Sequence, residues 1–198
     1  MTIRPEGLPF FAFAAVMLSW FAFAAAFLFR KKPPGASERK RDRGSLFGII
    51  LQGVAYALVW MIRRSMFSPI APLGKPLEVG LAIFTTAVAI GSVWLIMAAV
   101  RVLGKEWSFA ARVVEGHRLV TEGPYRLVRH PIYTGMFGML VSTALAISHW
   151  KVLLPAFLLF LVGTVIRVRM EERLLREEFG TEWEGYTQKV PAVIPGLY

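Results

Sequence analysis

Hydrophobic residues in this chain are collected into five long runs that are separated by shorter polar segments. The runs cover residues 9–29, 46–62, 77–100, 132–147 and 152–166. The first three are long enough for helices that cross a hydrocarbon core about 30 Å thick, since a helix rises about 1.5 Å per residue. The last two are shorter and have only four residues between them, which predicts a short helical hairpin. The pattern therefore predicts an all-α polytopic membrane protein with about five transmembrane helices.

The composition and the charge exclude some classes of site and ligand. The chain has 198 residues, 56% of them hydrophobic, and a mean hydropathy of +0.53. It has no cysteine, which excludes disulfides, thiolate catalysis and cysteine-bound zinc. The net charge is +10, and the charged residues lie between the apolar runs. That placement favours loops beside anionic lipid over nucleic-acid binding.

The distribution of Lys and Arg predicts an orientation in the membrane. Residues 30–44, 101–131 and 167–198 carry seven, six and five of these cations. Five spans with an external N-terminus place all three segments on the cytoplasmic side, as the positive-inside rule requires. The basic flank of the first run follows it, which indicates a retained helix and not a cleaved signal peptide. We divide the chain at residue 100, with three helices and the basic loop 30–44 before it, and the hairpin 132–166 and a cytoplasmic C-terminal helix after it.

A basic and aromatic stretch, residues 123–133, precedes the fourth apolar run and reads GPYRLVRHPIY. Its two prolines interrupt a continuous helix, and Arg126, Arg129, His130 and Tyr133 lie close together at a predicted membrane edge. Such a segment suits a small polar ligand with a planar base, because it offers hydrogen-bond donors and apolar faces. The alternatives are a structural histidine beside proline and arginines that extend to lipid phosphate.

A second polar cluster follows the fifth run. Arg167 and Glu171 are four residues apart and therefore share one face of a helix. A carboxylate at the end of an apolar span is costly unless it is paired or faces a polar cavity, so these two residues favour a buried site. Glu177 and Glu178 fit a solvated helix surface with ordinary ion pairs. The sequence leaves open whether Glu171 or Glu172 faces the site.

The two clusters, in this order, resemble the isoprenylcysteine carboxyl methyltransferase family. The shared motifs are Gly-Pro-Tyr-Arg-x-x-Arg-His-Pro-x-Tyr at 123–133, a short helical hairpin, and Glu-Glu-x-x-Leu-x-x-x-Phe-Gly-x-x-(aromatic)-x-x-Tyr at 171–186. The related phospholipid methyltransferases share part of this pattern. The resemblance covers residues 104–195 and implies a membrane methyltransferase that uses S-adenosylmethionine, with the cofactor entering from the cytosol and a lipidic or prenylated substrate from the bilayer.

The resemblance also implies roles for individual residues. Those in cofactor-binding positions of the motifs are His117, Leu119, Val120, Tyr125, His130, Pro131, Tyr133 and Glu171. Arg167 resembles the residue that orients the substrate carboxylate, so Arg167 and Glu171 are the candidate catalytic residues. Eukaryotic members carry a cofactor-contacting glutamine upstream of the histidine; here residues 112–116 stand in its place on a shorter connection, and that contact is not carried over.

The chemistry implied by this resemblance agrees with the residue types. Methyl transfer from a sulfonium needs no metal, and we predict no metal site. A carboxylate acceptor is already ionised at neutral pH, so positioning and exclusion of water would carry the catalysis. We therefore expect carboxyl O-methylation of an isoprenylcysteine-like or other lipidic substrate, with no nucleic acid and no obligate protein partner. The alternatives are N-methylation of an aminolipid and a non-catalytic membrane protein whose clusters anchor the hairpin to lipid.

Overall fold

The computed structural model describes residues 7–28, 38–41, 44–65, 68–70, 74–104, 112–114 and 118–194. Helices dominate these ranges. The α-helices are α1 (Gly7–Leu28), α2 (Ser45–Met61), α3 (Lys75–Leu103), α4 (Pro131–Ile147), α5 (Leu153–Phe179) and α6 (Thr181–Thr187). Short 3₁₀ turns occupy Gly123–Arg126 and Trp150–Val152. Two short strands, β1 (Glu38–Arg41) and β2 (Arg112–Val114), pair antiparallel, a feature that the predicted all-α architecture did not include.

Each predicted apolar run coincides with a helix. The length and apolar composition of these helices identify the protein as an integral membrane protein. Three segments are long and apolar enough to cross a membrane, namely Gly7–Ala25, Lys75–Leu103 and Trp150–Phe179. The other two apolar helices, α2 and α4, have 17 residues each. The fifth run and the charged residues after it form one continuous helix, α5. That helix ends at Gly180, whose φ of +51° lies in the left-handed region that favours glycine.

Glycines bring the helices into close contact. A Cβ atom on Gly48 of α2 would lie 2.7 Å from the carbonyl oxygen of Gly163 in α5, and one on Gly135 of α4 would lie 2.9 Å from that of Ser92 in α3. These approaches match the most extensive packing in the molecule, which joins α2 to α5 and α3 to α4. The helices of the predicted hairpin, α4 and α5, therefore pack mainly on other helices and less on each other.

An aromatic cluster fills the space between α1, α2 and α5. The Trp20 ring packs edge-on against those of Tyr56 and Trp60, and Tyr56 packs against Phe160. Two of its polar atoms have partners on α4, since Trp20 Nε1 donates to Thr143 Oγ1 at 3.0 Å and the Tyr56 hydroxyl donates to the carbonyl of Met136. Edge-to-face aromatic pairs of this kind add specificity to apolar packing. The cluster fixes the helices whose ends form the site described below.

Arg64 forms hydrogen bonds between helices at the end of the molecule away from the site described below. Its guanidinium donates to the carbonyl oxygens of Leu145, Ala146 and Ser148, at distances of 2.7 to 2.8 Å. Leu145 and Ala146 lie in the last turn of α4 and Ser148 caps it, and helix geometry leaves carbonyls at this end without partners in the helix. Arg64 therefore joins the C-terminal end of α2 to that of α4.

Replacing Arg64 with methionine should lower the stability of the fold by at least about 2 kcal/mol, because even one hydrogen bond from a charged donor contributes about 1.5–3 kcal/mol. The check is the melting temperature of the purified protein in detergent. Arg63→Met is the matched control, since Arg63 is exposed and donates only to the carbonyl of Trp60 among its described contacts. Equal melting temperatures for the two variants would contradict the assigned role of Arg64.

Candidate active site

The N-terminal end of α4 and the charged half of α5 meet and form a polar site. His130 precedes α4 with φ −125° and ψ 60°, and Pro131 begins the helix. This agrees with the sequence, because the residue before a proline is excluded from the helical region and proline is favoured at the first helical position. Tyr133 follows in the first turn. On α5, Arg167 and Glu171 lie one turn apart on the face towards α4, as the four-residue spacing predicted.

The Glu171 carboxylate is the centre of this site. It accepts a hydrogen bond from the phenol of Tyr133. Its Oε2 atom lies 3.4 Å from Nδ1 of His130, and its Oε1 atom lies 3.9 Å from Nη2 of Arg167. Two cationic groups and one hydroxyl donor therefore surround one carboxylate, which stabilises its ionised form.

His130 bridges the two neighbouring glutamates. Its Nδ1 atom faces Glu171, and its Nε2 atom lies 3.1 Å from Oε1 of Glu172. Both ring nitrogens can donate only when the imidazole is protonated. Burial lowers the pKa of His130, but its hydrogen bonds to Glu171 and Glu172 and the charges of these carboxylates raise it, and the pKa ends above its ordinary value.

Stability should accordingly fall as the pH rises through the raised pKa of His130. The unfolded chain has a histidine pKa of about 6.5, so the contribution of the bridging imidazolium is complete below that pH and is lost above the folded value. We expect the melting temperature of the wild-type protein to decline above pH 6.5. The melting temperature of His130→Gln should change much less over the same pH range. The control is His149→Gln at the other end of α4; if it flattened the profile equally, His130 would not be the group responsible.

Glu172 belongs to a second ion pair beside the first. Its Oε1 atom accepts from Nε of Arg129 at 2.9 Å. Arg129 also donates to the carbonyl oxygens of Thr187 and Val190 in the C-terminal segment. The two glutamates share His130 but differ in their other neighbours: Glu171 contacts Tyr133 and Arg167, while Glu172 is bound to Arg129, which anchors the C-terminal segment.

Arg167 is buried at the junction of α2, α4 and α5. It is 7% exposed, and its Nη1 atom donates to Oε1 of Gln52 at 3.1 Å. Its Cζ atom lies 4.8 Å from the centre of the Tyr133 ring, so the ring faces the cation. The guanidinium is thereby held between an amide, an aromatic ring and the Glu171 carboxylate.

The C-terminal segment after α6 closes one side of the site. The backbone nitrogens of Arg129 and His130 donate to the carbonyl oxygens of Pro191 and Ala192 at 2.8 and 2.9 Å. Thr134 Oγ1 donates to the carbonyl of Val193. These bonds fix the backbone from which His130 and Tyr133 extend. No sequence motif indicated the contact.

The other predicted cofactor residues lie along the edge of the site. Val120 and Tyr125 are buried against Ala99 at the end of α3, and Leu119, the residue before Val120, is half-buried. Burial, with smaller contributions from the charges of Glu171 and Tyr186, raises the pKa of Tyr125 well above its usual range, so its phenol stays protonated. Pro131 is fully buried where α4 begins. The prediction for His117 lies outside the described residues.

The sequence predicts no specific contact for three residues of this cluster, although it places Arg129 among the side chains of the ligand-binding stretch and leaves Glu172 as the alternative to Glu171. They are Gln52, Arg129 and Glu172. Arg129 and Glu172 stand next to assigned residues in the two motifs, so their proximity was the available signal. Gln52 is an amide inside an apolar run, and polar residues in such runs are rare and commonly functional. That rarity singles out the residue but does not identify its partner.

Comparison with known proteins agrees with the motifs. The phospholipid methyltransferase family matches residues 81–182, just over half of the chain. A probable protein-S-isoprenylcysteine O-methyltransferase from Oryza sativa subsp. japonica is 36% identical over 100 residues, which are 49% of this chain and 52% of that protein. The protein-S-isoprenylcysteine O-methyltransferase of Schizosaccharomyces pombe is 35% identical over 86 residues, which are 43% and 36% of the two chains. Protein-S-isoprenylcysteine O-methyltransferase B of Arabidopsis thaliana is 32% identical over 81 residues, 41% of each chain.

These matches confirm the resemblance to isoprenylcysteine methyltransferases. The chain spans about half the length of the first curated relatives it matches. The matched region begins within α3 and ends in α6, so it contains α4, α5 and the residues that surround Glu171. The chain belongs to the phospholipid methyltransferase family.

Proposed function

We propose that this protein transfers a methyl group from S-adenosylmethionine to the carboxyl group of an isoprenylcysteine-like or other lipidic substrate. The observation that carries the proposal is the buried Arg167 beside Glu171, Tyr133 and His130 at the end of apolar helices. A buried guanidinium at a membrane boundary suits an acceptor with an anionic head and an apolar tail. The names of the curated relatives support the same acceptor class.

The residues at this site suit the proposed cofactor. Glu171 keeps 25% of its side chain exposed while Arg167 keeps 9%, so the carboxylate is the more accessible group and can receive the ammonium end of the cofactor. Val120 and Tyr125 pack together and offer apolar surface for the cofactor, and the predicted contact of Leu119 remains part of this proposal. When bound, S-adenosylmethionine supplies an electrophilic methyl group on a sulfonium. The predicted contacts of His117 and Pro131 remain part of this proposal.

Arg167 binds and orients the acceptor in this mechanism. A guanidinium keeps its charge at any ordinary pH and can hold a carboxylate with one oxygen directed to the methyl group. The acceptor is ionised at neutral pH, so the site needs no strong base. Tyr133 covers one face of the guanidinium, which keeps water away from it and strengthens its attraction for the carboxylate.

A second candidate, N-methylation of an aminolipid, is favoured by the family description, which names phospholipids. An amine acceptor must lose a proton before it attacks, so it requires a base near the reacting nitrogen. In the proposed arrangement Glu171 receives the cofactor and Glu172 is bound by Arg129 and His130, so the group at the acceptor position is the Arg167 guanidinium, which repels an ammonium acceptor. This arrangement therefore favours a carboxylate over an amine as the acceptor.

The proposed topology has α1 to α5 crossing the membrane, with the N-terminus outside and the site on the cytoplasmic side. The C-terminal ends of α2 and α4 lie together at Arg64, while the N-terminal end of α4 and the charged half of α5 lie at the site, so neighbouring helices alternate in direction. The basic segments 30–44, 101–131 and 167–198 then lie on the side of the site. The division at residue 100 remains a prediction, and Gln52 contributes to the site from before it.

The test uses the purified protein in vesicles with S-adenosylmethionine labelled in its methyl group. The acceptors are an S-farnesylated cysteine with a free carboxyl group and, separately, phosphatidylethanolamine in the vesicle. We expect label in a base-labile methyl ester of the cysteine. Label in the aminolipid headgroup instead would support the second candidate. Absence of cofactor binding in calorimetry would overturn both and leave the non-catalytic interpretation.

A further inference from the structure

Gln52 is a buried amide within the apolar helix α2, outside the region that the family comparison matches. Its side chain is 2% exposed. Its amide oxygen accepts from Nη1 of Arg167 at 3.1 Å, and its amide nitrogen donates to Oγ1 of Thr164 at 2.9 Å. A buried amide in an apolar helix is costly unless it is paired, and here both of its ends have partners on α5.

Thr164 fixes the orientation of that amide. Its hydroxyl donates to the carbonyl of Phe160 one turn earlier, at 2.8 Å. Since the hydroxyl has one proton and that proton is used, Oγ1 can only accept from Gln52. The nitrogen of the Gln52 amide must therefore face Thr164, and its oxygen must face Arg167.

The packing of α2 on α5 adds to this restraint. A Cβ on Gly48 would lie 2.5 Å from Cγ of Arg167, so α2 contacts the aliphatic part of this side chain directly. One turn further along α2, Gln52 binds the guanidinium end. Tyr133 covers a face of the same group. The position of the Arg167 guanidinium is thus set by two helices besides its own.

The effect of Gln52 on Arg167 is indicated by comparing two arginine–glutamate distances in the site. Arg129 and Glu172 form an ion pair of 2.9 Å, whereas Arg167 and Glu171 are separated by 3.9 Å although their four-residue spacing permits a closer approach. Gln52 binds the nitrogen of Arg167 that is not directed at Glu171. It therefore holds the guanidinium back from that carboxylate.

We infer that Gln52 is a positioning residue that separates Arg167 from Glu171, so that the guanidinium is directed to the acceptor and the carboxylate to the cofactor. This inference rests on the proposed function. Without Gln52, Arg167 closes on Glu171, and each charge neutralises the other. Both the binding of a carboxylate acceptor and the binding of the cofactor then weaken, and both effects require Arg167.

The test is a double-mutant cycle with Gln52→Met, Arg167→Met and the double variant in the full chain. Gln52→Met should raise the KM for an S-farnesylated cysteine about tenfold, as expected for the loss of a hydrogen bond to a charged group, and should raise the calorimetric Kd for S-adenosylmethionine by a smaller factor of about three, because the cofactor is affected only through Glu171. In the Arg167→Met background the same substitution should leave the Kd unchanged. Gln188→Met, on an exposed glutamine after α6, is the matched control and should change neither quantity.

Two results would overturn the inference. One is an equal weakening of cofactor binding by Gln52→Met in both backgrounds, because that would reflect a general disturbance of the fold. The other is an unchanged KM and Kd in Gln52→Met. Failure of the proposed function is distinguishable, since the wild-type protein would then not bind S-adenosylmethionine or would not methylate the cysteine. Melting temperatures within a few degrees of wild type establish that each variant is folded.

Discussion

Replacing Arg167 with methionine should lower kcat/KM for a carboxylate acceptor by about a hundredfold, while the affinity for S-adenosylmethionine falls much less. Truncating one partner of a buried charged contact typically costs about 2–5 kcal/mol, and each 1.4 kcal/mol corresponds to a factor of ten. Arg167 is a buried cation of the site, and methionine matches the length of its aliphatic part. The measurement is steady-state methylation of an S-farnesylated cysteine, with cofactor affinity obtained separately by calorimetry.

Two further variants test whether the loss of activity is specific to the position and the guanidinium group of Arg167. Arg169→Met removes an exposed arginine from the same helix and should leave kcat/KM nearly unchanged. Arg167→Lys keeps the charge but not the planar pair of donors, so it should recover only part of the activity. If Arg167→Met instead increased methylation of an amine acceptor and spared the carboxylate reaction, the aminolipid candidate would replace the one proposed here.

The helices could be predicted from the sequence because nearly every residue of a helix in lipid must be apolar, which leaves a continuous hydrophobic run in the sequence. Each apolar run became a helix, and the ends of the first four differ by only a few residues: the run 77–100 lies within α3, which covers Lys75–Leu103. The length of α5 was less evident. Charged residues after residue 166 changed the hydrophobic pattern without interrupting the helix, since the chain has no proline or glycine there until Gly180.

The strand pair and the C-terminal contact could not be predicted in the same way. Glu38–Arg41 and Arg112–Val114 are far apart in the chain and neither shows the alternation that identifies a strand, so nothing local connects them. The segment after α6 binds through its carbonyl groups to the backbone nitrogens of Arg129 and His130. Backbone contacts of this type depend on the path of the chain and leave no signature in residue type.

Part of the candidate site followed from the sequence because helix spacing is local. Arg167 and Glu171 share a face whatever the rest of the fold does. Their distance of 3.9 Å, however, depends on Gln52, which lies more than 100 residues earlier and on another helix. The spacing predicted that the two side chains would be neighbours, and the tertiary structure determined how far apart they stay.

Glu171→Gln should raise the Kd for S-adenosylmethionine by about tenfold or more while the fold is retained. The substitution keeps the size of the side chain and the capacity to accept from Tyr133, but it removes the charge that would attract the cofactor. Charged hydrogen bonds contribute about 1.5–3 kcal/mol, which is roughly ten- to hundredfold in affinity. Isothermal calorimetry measures the Kd, and the melting temperature reports on the fold.

Comparison with two other glutamates on α5 tests the assignment of Glu171. Glu177→Gln should be nearly neutral, because Glu177 is exposed and lies beyond the site. Glu172→Gln should lower the melting temperature more than the affinity, since Glu172 binds Arg129 and His130 and through Arg129 fixes the C-terminal segment. If Glu172→Gln weakened cofactor binding more than Glu171→Gln did, the roles of the two carboxylates would be exchanged. If Glu171→Gln left the Kd unchanged, Glu171 would not bind the cofactor. The 3.9 Å separation of Glu171 from Arg167 would then have a structural role only.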